Sequence, residues 1–278
     1  MAYLEPNEFA TKMVDSGEQK IFMSTKDTYI RAFMAGAILA LAAFFAITVA
    51  VKTGVPLIGA LLFPVGFIML YLCKFDLLTG VFTLVPLALI DKRPGCTMSG
   101  LMRNWGLVFI GNLSGALMVA FFASFILTYG YQTDGGVLAE KVSKIGESRT
   151  LGYQAQGVGG WFTIFIRGML CNWMVSMGVV GAMISTSAGA KMAAMWMPIM
   201  LFFFMGFEHS IVNMFLFPFS MIMGGDFTVM EYLIWNEIPT ALGNLAGGFL
   251  LVGLPLYLTH VKTSKERKVA GVKTVAAL

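Results

Sequence analysis

Long apolar runs separated by short polar punctuation dominate the chain. Tyr29 to about Val51, Gly100 to Tyr129, Trp161 to about Ser185 and Pro239 to about Thr259 can each cross a bilayer, since a helix needs roughly 20 apolar residues to span the hydrocarbon. Two further runs are interrupted. Val55 to Ile90, too long for one straight span, contains Lys74-Phe75-Asp76 and Thr79-Gly80. Met192 to Met223 repeats the pattern, broken by Gly206, Glu208, His209, Ser210 and Asn213 together. The pattern predicts an all-α membrane protein with six transmembrane helices, the second and fifth interrupted, in a single channel domain over 29–260. Residues 1–28 read as an amphipathic lead-in, with Phe9, Met13, Ile21 and Phe22 among Lys12, Lys20 and Lys26. Residues 130–160 read as a polar, Gly-rich loop, and 261–278 as a basic tail.

Composition agrees. Of 278 residues, 58% are hydrophobic and 12% charged, and mean hydropathy is +0.79. No single soluble domain buries that much apolar side chain, which points to a multi-pass membrane protein. The first 28 residues hold no apolar core of a cleavable signal peptide. Cys73, Cys96 and Cys171 form no CxxC pair, which argues against a disulfide frame or a zinc site; no cofactor is expected. The net charge of +4 bears on topology and does not point to nucleic acid. Six spans put both termini on one side, and Lys and Arg select it. Lys12, Lys20, Lys26, Arg31, Lys92, Arg93, Arg103, Lys191 and the basic tail fall on the terminal side. Lys52, Lys141, Lys144 and Arg149 fall opposite, where the last loop carries only Asp226, Glu231 and Glu237. Both termini are therefore expected in the cytoplasm, with the chain in the inner (plasma) membrane.

The chain also repeats itself. Asn104 and Asn112 recur as Asn236 and Asn244, and Asp76 recurs as Glu208, all at an offset of 132. Ile30-Arg31 echoes Ile166-Arg167 at a slightly different offset. A unit of three spans must invert when it is copied, giving two inverted repeats of about 29–129 and 161–260 whose broken helices meet near the midplane. Exposed backbone groups are tolerated there only around a cavity. In Gly111-Asn112-Leu113-Ser114-Gly115 and Gly243-Asn244-Leu245-Ala246-Gly247, small residues allow close helix approach and Asn can hydrogen-bond across.

Glu208 and His209 carry the chemistry. A carboxylate at a bilayer centre costs about 2.5–3.5 kcal/mol on insertion scales, so ionisable groups there pair or mark a pathway. One reading is a buried pair that only ties helices together; the joint helix-breaking pattern favours a site.

At these residues the sequence resembles the formate/nitrite transporter family, which includes formate, nitrite and hydrosulfide channels. Gly206-Phe207-Glu208-His209-Ser210-Ile211-Val212-Asn213-Met214-Phe215 matches its fifth-helix signature almost letter for letter. Ile238-Pro239-Thr240-Ala241-Leu242-Gly243-Asn244, Arg103-Asn104-Trp105 with Gly111-Asn112, and Asp76-Leu77-Leu78-Thr79 resemble its other motifs. The resemblance implies an aquaporin-like fold and a homopentamer with one pore per protomer. It further implies apolar constrictions at Phe67 and Phe202 toward the cytoplasm and at Phe63 and Leu78 toward the periplasm. Thr79 falls in a mobile loop, and Asn172 and His209 are the polar groups between the rings. On the residues alone, Phe63, Phe67 and Phe202 read as core or lipid-facing. Three positions depart from the pattern. The family's Lys sixteen residues before the fourth-helix Asn, implied to draw anions inward, is Gln156 here. The residues flanking that position are Val158-Gly159-Gly160, and Lys74-Phe75 stands where a signature Gly precedes the second-helix acid. Lys74 either replaces the lost charge or pairs with Asp76.

The expected function is a channel or transporter for small monovalent weak-acid anions, formate or nitrite first, with proton exchange at His209. Histidine's ordinary pKa of about 6.5 suits that exchange. Glu208 is expected to orient the imidazole, and Asn172 to offer amide donors to substrate or to His209. The alternative, motivated by Gln156, is passage of a neutral species such as hydrogen sulfide or a short carboxylic acid. An intramembrane acid–base enzyme is the remote alternative. No HExxH or GxSxG is present, so the chain is read as a transporter and not an enzyme, its partners being the anion, protons, lipid and its own copies.

Overall fold

A computed structural model of the chain describes residues 3–264. The basic residues expected in the tail at 265–278 lie outside the described residues. The described chain is helical, with one isolated bridge between Tyr3 and Ser185. Helix α1 (Pro6–Phe22) opens on a capping box in which Glu5 and Glu8 exchange side-chain and backbone bonds, and it buries Phe9, Ala10, Met13, Val14, Gly17 and Ile21 along one stripe. The lead-in is thus a docked amphipathic helix. Helix α2 (Thr25–Thr53) starts at Ser24, whose hydroxyl accepts the Asp27 N–H, and stops at Gly54 in the left-handed region.

The second apolar run forms α3 (Pro56–Leu62) and α4 (Pro64–Leu72), continuous through Phe63, and then α5 (Leu78–Ile90). The break covers Cys73 to Leu77. Thr79 and Gly80, expected in the interruption and its mobile loop, instead lie in the first turn of α5. Helix α6 (Met98–Leu127) is capped by Thr97. The stretch expected as a loop holds α7 (Gly136–Ser148) and α8 (Leu151–Gln154). Ala139, Val142 and Gly146 form a short buried stripe in α7, a helical period easily hidden by the glycines and charges around it. Helices α9 (Gly157–Gly181), α10 (Ala188–Phe204) and α11 (Ser210–Ile222) follow, with the second break at Met205 to His209. The last helix, α12 (Val229–Lys262), contains π-helical turns. It begins ten residues before the expected start at Pro239. The π turn Leu233–Glu237 lies just ahead of that proline, where an α-helical carbonyl would meet its ring. Glu237 therefore lies inside a helix and not in a loop.

By length and hydropathy α2, α6, α9 and α12 can each cross a membrane, and the shorter apolar helices come in two broken pairs. The long helices approach through glycine seams. A Cβ on Gly36 of α2 would lie 2.2 Å from the Asn112 carbonyl oxygen of α6, and one on Gly243 of α12 would lie 2.2 Å from the Phe165 carbonyl of α9. Lipid supplies no hydrophobic drive between helices, so such backbone proximity is what holds them. Gly36→Ala is expected to lower the melting temperature of the solubilised protein clearly, whereas Gly152→Ala, with open space around it, leaves it unchanged. Equal melting in a thermal-shift assay would contradict the seam.

Candidate functional site at the two helix breaks

The two breaks are built alike. Each turns through a left-handed residue, Lys74 at φ 57° in the first and Gly206 at φ 62° in the second. Lysine pays about 1–2 kcal/mol for that conformation and glycine almost nothing. The turn is therefore retained at the position where the expected glycine is absent. Each break is then tied by an asparagine of the neighbouring long helix. Asn112 Oδ1 accepts the Leu78 N–H at 2.9 Å, while its Nδ2 donates to the carbonyls of Ala32 (2.7 Å) and Asp76 (2.9 Å). Asn244 Oδ1 accepts the Ser210 N–H at 3.0 Å, and its Nδ2 donates to Gly168 (2.8 Å) and Glu208 (2.9 Å) carbonyls. Asn104 Nδ2 reaches the Lys20 carbonyl (3.1 Å) and Asn236 Nδ2 that of Arg149 (3.0 Å). Among these partners, Asp76, Leu78, Glu208 and Ser210 offer backbone groups that the breaks strip of helical partners.

The restarting helices α5 and α11 bring Thr79 and His209 together: Thr79 Oγ1 and His209 Nε2 are 3.3 Å apart, both fully buried. His209 caps α11, its Nδ1 taking the Val212 N–H at 3.3 Å. A backbone N–H can only donate, so Nδ1 is bare, the ring is neutral and Nε2 carries the proton. Nε2–H then donates to Thr79. The ring lies against Phe202, 5.4 Å between centroids.

Aromatic rings cluster in two sets. Phe63 meets Phe202 edge-on at 5.7 Å and stacks on Phe203 at 3.9 Å. Phe67 packs on Tyr71 at 4.4 Å. Phe202 thus groups with Phe63, not with Phe67 as expected. Leu78 is buried at the start of α5.

Three expected roles change. Glu208 is buried, but its carboxylate does not touch the His209 ring. Its Oε2 takes Asn213 Nδ2 at 3.0 Å and Asn236 Nδ2 at 3.3 Å, with Arg149 at 3.7 Å, and its Oε1 has no hydrogen-bond partner. Asn172 spends both amide protons on the carbonyls of Thr79 (3.1 Å) and Asn244 (2.6 Å), leaving neither for His209. Lys74 does not pair with Asp76; Lys20 of α1 does.

Gln156 is exposed, and its Nε2 turns back to the Gly152 carbonyl. The cation beside the second break comes from elsewhere. Arg149, at the end of α7, reaches Glu208 and the Gly206 carbonyl (3.4 Å), and Arg167 of α9 donates to the same carbonyl at 2.5 Å. Arg149 precedes Asn172 by 23 residues instead of sixteen, so counting back from the asparagine lands on the wrong residue. Sequence reasoning read Arg149 as a loop charge, used Arg167 only as a repeat marker and gave Glu237 to a loop. An arginine inside an apolar span was the signal for Arg167. On the α1 side a cavity of about 550 Å³ is lined by Lys12, Lys20, Arg31, Lys74, Asp76 and Lys191 among others. Among the described residues no cluster of three or more His, Cys, Asp or Glu side chains could hold a metal.

A family model described as formate/nitrite transporter matches residues 7–258. The chain is 32% identical over 276 residues to an uncharacterized transporter, YrhG, of Bacillus subtilis (strain 168), covering 96% of this chain and 98% of that one. It is 33% identical to a probable formate transporter of Methanothermobacter thermautotrophicus, covering 84% and 88%. Its fold resembles that of a pentameric formate channel solved with formate bound, with a TM-score of 0.69 and 24% identity over 84% of this chain and 96% of that one.

Proposed function

From the chain's membership of the formate/nitrite transporter family we propose that it is a channel for small monovalent weak-acid anions, formate first, with proton exchange at His209. The observation that carries this reading is the neutral, buried His209–Thr79 pair, its ring against Phe202 of one aromatic set. An anion stripped of water cannot cross apolar rings cheaply. At the pair it meets an N–H donor and the N-termini of α5 and α11, whose dipoles favour negative charge. Once a proton from water binds Nδ1 in place of the Val212 N–H, the ring is an imidazolium, and an anion there takes one of its protons and passes the next ring as a neutral acid. Charge is conserved: imidazolium and anion become neutral imidazole and neutral acid, and the acid releases its proton to water beyond the ring. The likeness to a solved pentameric channel supports a homopentamer with one pore per protomer.

The matched bonds of Asn112 and Asn244 at one sequence offset support six crossings in two inverted halves, and the distribution of Lys and Arg supports both termini on the cytoplasmic side of the inner membrane. Helix α7 then stands to the second half as α1 does to the first, so each repeat includes an amphipathic helix besides its three spans. Phe67 and Tyr71 close the side of the basic cavity, and Phe63, Phe202 and Phe203 close the other. Arg149 and Arg167 supply the cationic mouth that Gln156 does not. This removes the reason for preferring a neutral cargo. Gln156→Lys is accordingly expected to leave anion uptake unchanged; a clear gain in labelled-formate flux would restore the neutral-cargo reading.

The deciding experiment is uptake of formate, nitrite, hydrosulfide and lactate into proteoliposomes with and without an inward proton gradient. Proton-stimulated uptake of a small anion is the expected result. No anion uptake by correctly assembled protein would overturn the proposal.

A further inference from the structure

Glu237 is a buried carboxyl that the pathway described so far leaves unused. It sits in the π turn of α12, 3% exposed. Ser210 Oγ is hydrogen-bonded to its Oε1, and the Tyr232 hydroxyl donates to its Oε2 at 2.7 Å. Among the described residues it has no cation. Its charged surroundings are few. Glu208, from the break, is a second carboxylate and holds Arg149 of α7 for itself. Arg167 of α9 faces the Gly206 carbonyl, and Tyr153 of α8 stands near Glu208. Two carboxyls thus share one touching guanidinium, and charge balance leaves a proton for Glu237, since an unpaired carboxylate at such a site is strongly disfavoured. The fold does not need an acid here. The positions 132 residues earlier, matching Ser210 and Glu237, are Leu78 and Trp105, an apolar pair in an equivalent break. Ser210 directly follows His209 and is the first residue of α11.

We infer that Glu237 is a second proton-binding group of the transport pathway, one that permits anion passage only while protonated. This rests on the anion-channel reading. With its proton on, the carboxyl O–H donates to Ser210 Oγ and the neighbourhood of α11's first turn is neutral. When the proton leaves to water, the carboxylate accepts from both hydroxyls and places a negative charge beside the His209 site, opposing the anion.

Two measurements on the full-length protein test this. Infrared difference spectra between about pH 5 and about pH 9 should show the carbonyl band of a protonated carboxylic acid titrating in the wild type and missing in Glu237→Gln. Formate uptake by Glu237→Gln at about pH 8, relative to its own rate at about pH 5, should exceed the wild-type ratio about tenfold for each unit by which pH 8 lies above the midpoint that the spectra give. Identical spectra, or coincident pH profiles, overturn the inference. A wild type that transports no anion sinks the channel reading instead, while the spectra still decide whether Glu237 binds a proton. Should Glu237→Gln fail to assemble, Tyr232→Phe removes one donor to the carboxylate and should move the half-maximal uptake to higher pH; an unmoved midpoint overturns the inference.

Discussion

His209→Phe is expected to assemble normally and to show uptake no faster than protein-free liposomes, with or without a proton gradient. Two separate losses are involved, of very different size. As the N-cap of α11 the imidazole accepts the Val212 N–H, and losing a cap costs about 1 kcal/mol. Asn244 still holds the Ser210 N–H and the Glu208 carbonyl, so the break keeps its shape. Phenylalanine fills the space against Phe202, where the ring already stacks. The second loss is the N–H facing Thr79. Without it, the site beside Phe202 offers an anion neither a proton nor a side-chain donor from α11. Desolvation is then unopposed, and each 1.36 kcal/mol added to the barrier slows passage tenfold. His209→Asn separates the roles: its amide restores a donor and a cap but exchanges no proton. It should pass some anion while losing stimulation by a proton gradient. Wild-type flux in His209→Phe, measured by stopped-flow light scattering or labelled formate, would end the proton-exchange role.

Arg149→Met is expected to lose most of its folded protein, and a second substitution, Glu208→Gln, to recover much of it. Glu208 has no exposed surface. Its carboxylate relies on Arg149 together with the amides of Asn213 and Asn236. Removing one partner of a buried ion pair costs about 3–5 kcal/mol because the other charge is left uncompensated. The uncharged glutamine removes that penalty while keeping a hydrogen-bonding end. Arg149→Lys should fall between, since an ammonium cannot span the carboxylate and the Gly206 carbonyl with one planar fork. The measurements are melting temperature and the yield of monodisperse protein for the two single variants and the double. Additive losses would show that the two residues do not act through each other.

Legibility differed from element to element. The apolar runs and the broken second and fifth stretches could be read directly, because a chain in lipid must satisfy its backbone locally and each crossing leaves a run of fixed minimum length. Asn112 and Asn244 could be found as a repeat but not understood. Which amide caps which restarting helix depends on two segments 34 residues apart meeting in space. Helix α7 was hidden because its buried stripe is only three small or branched residues long. Arg149 was passed over because a position counted from Asn172 assumes a fixed spacing, and the cation beside the second break stands 23 residues before that asparagine.

The sequence by itself determined that the protein lives in a membrane, that polar residues at and after its two broken stretches recur at one offset, and that Glu208-His209 lies at a break. These follow from hydropathy, from repeated letters and from polar residues where lipid would exclude them, all of which are properties of the chain read locally. Only the tertiary structure decided the partners. It set His209 on Thr79 rather than on Glu208, Arg149 rather than residue 156 beside the acid, Lys20 rather than Lys74 on Asp76, and Phe202 with Phe63. Each of those contacts joins elements distant in sequence. A side chain's reach of a few ångströms selects among them only after the seams between α2 and α6 and between α9 and α12 have fixed where each break sits.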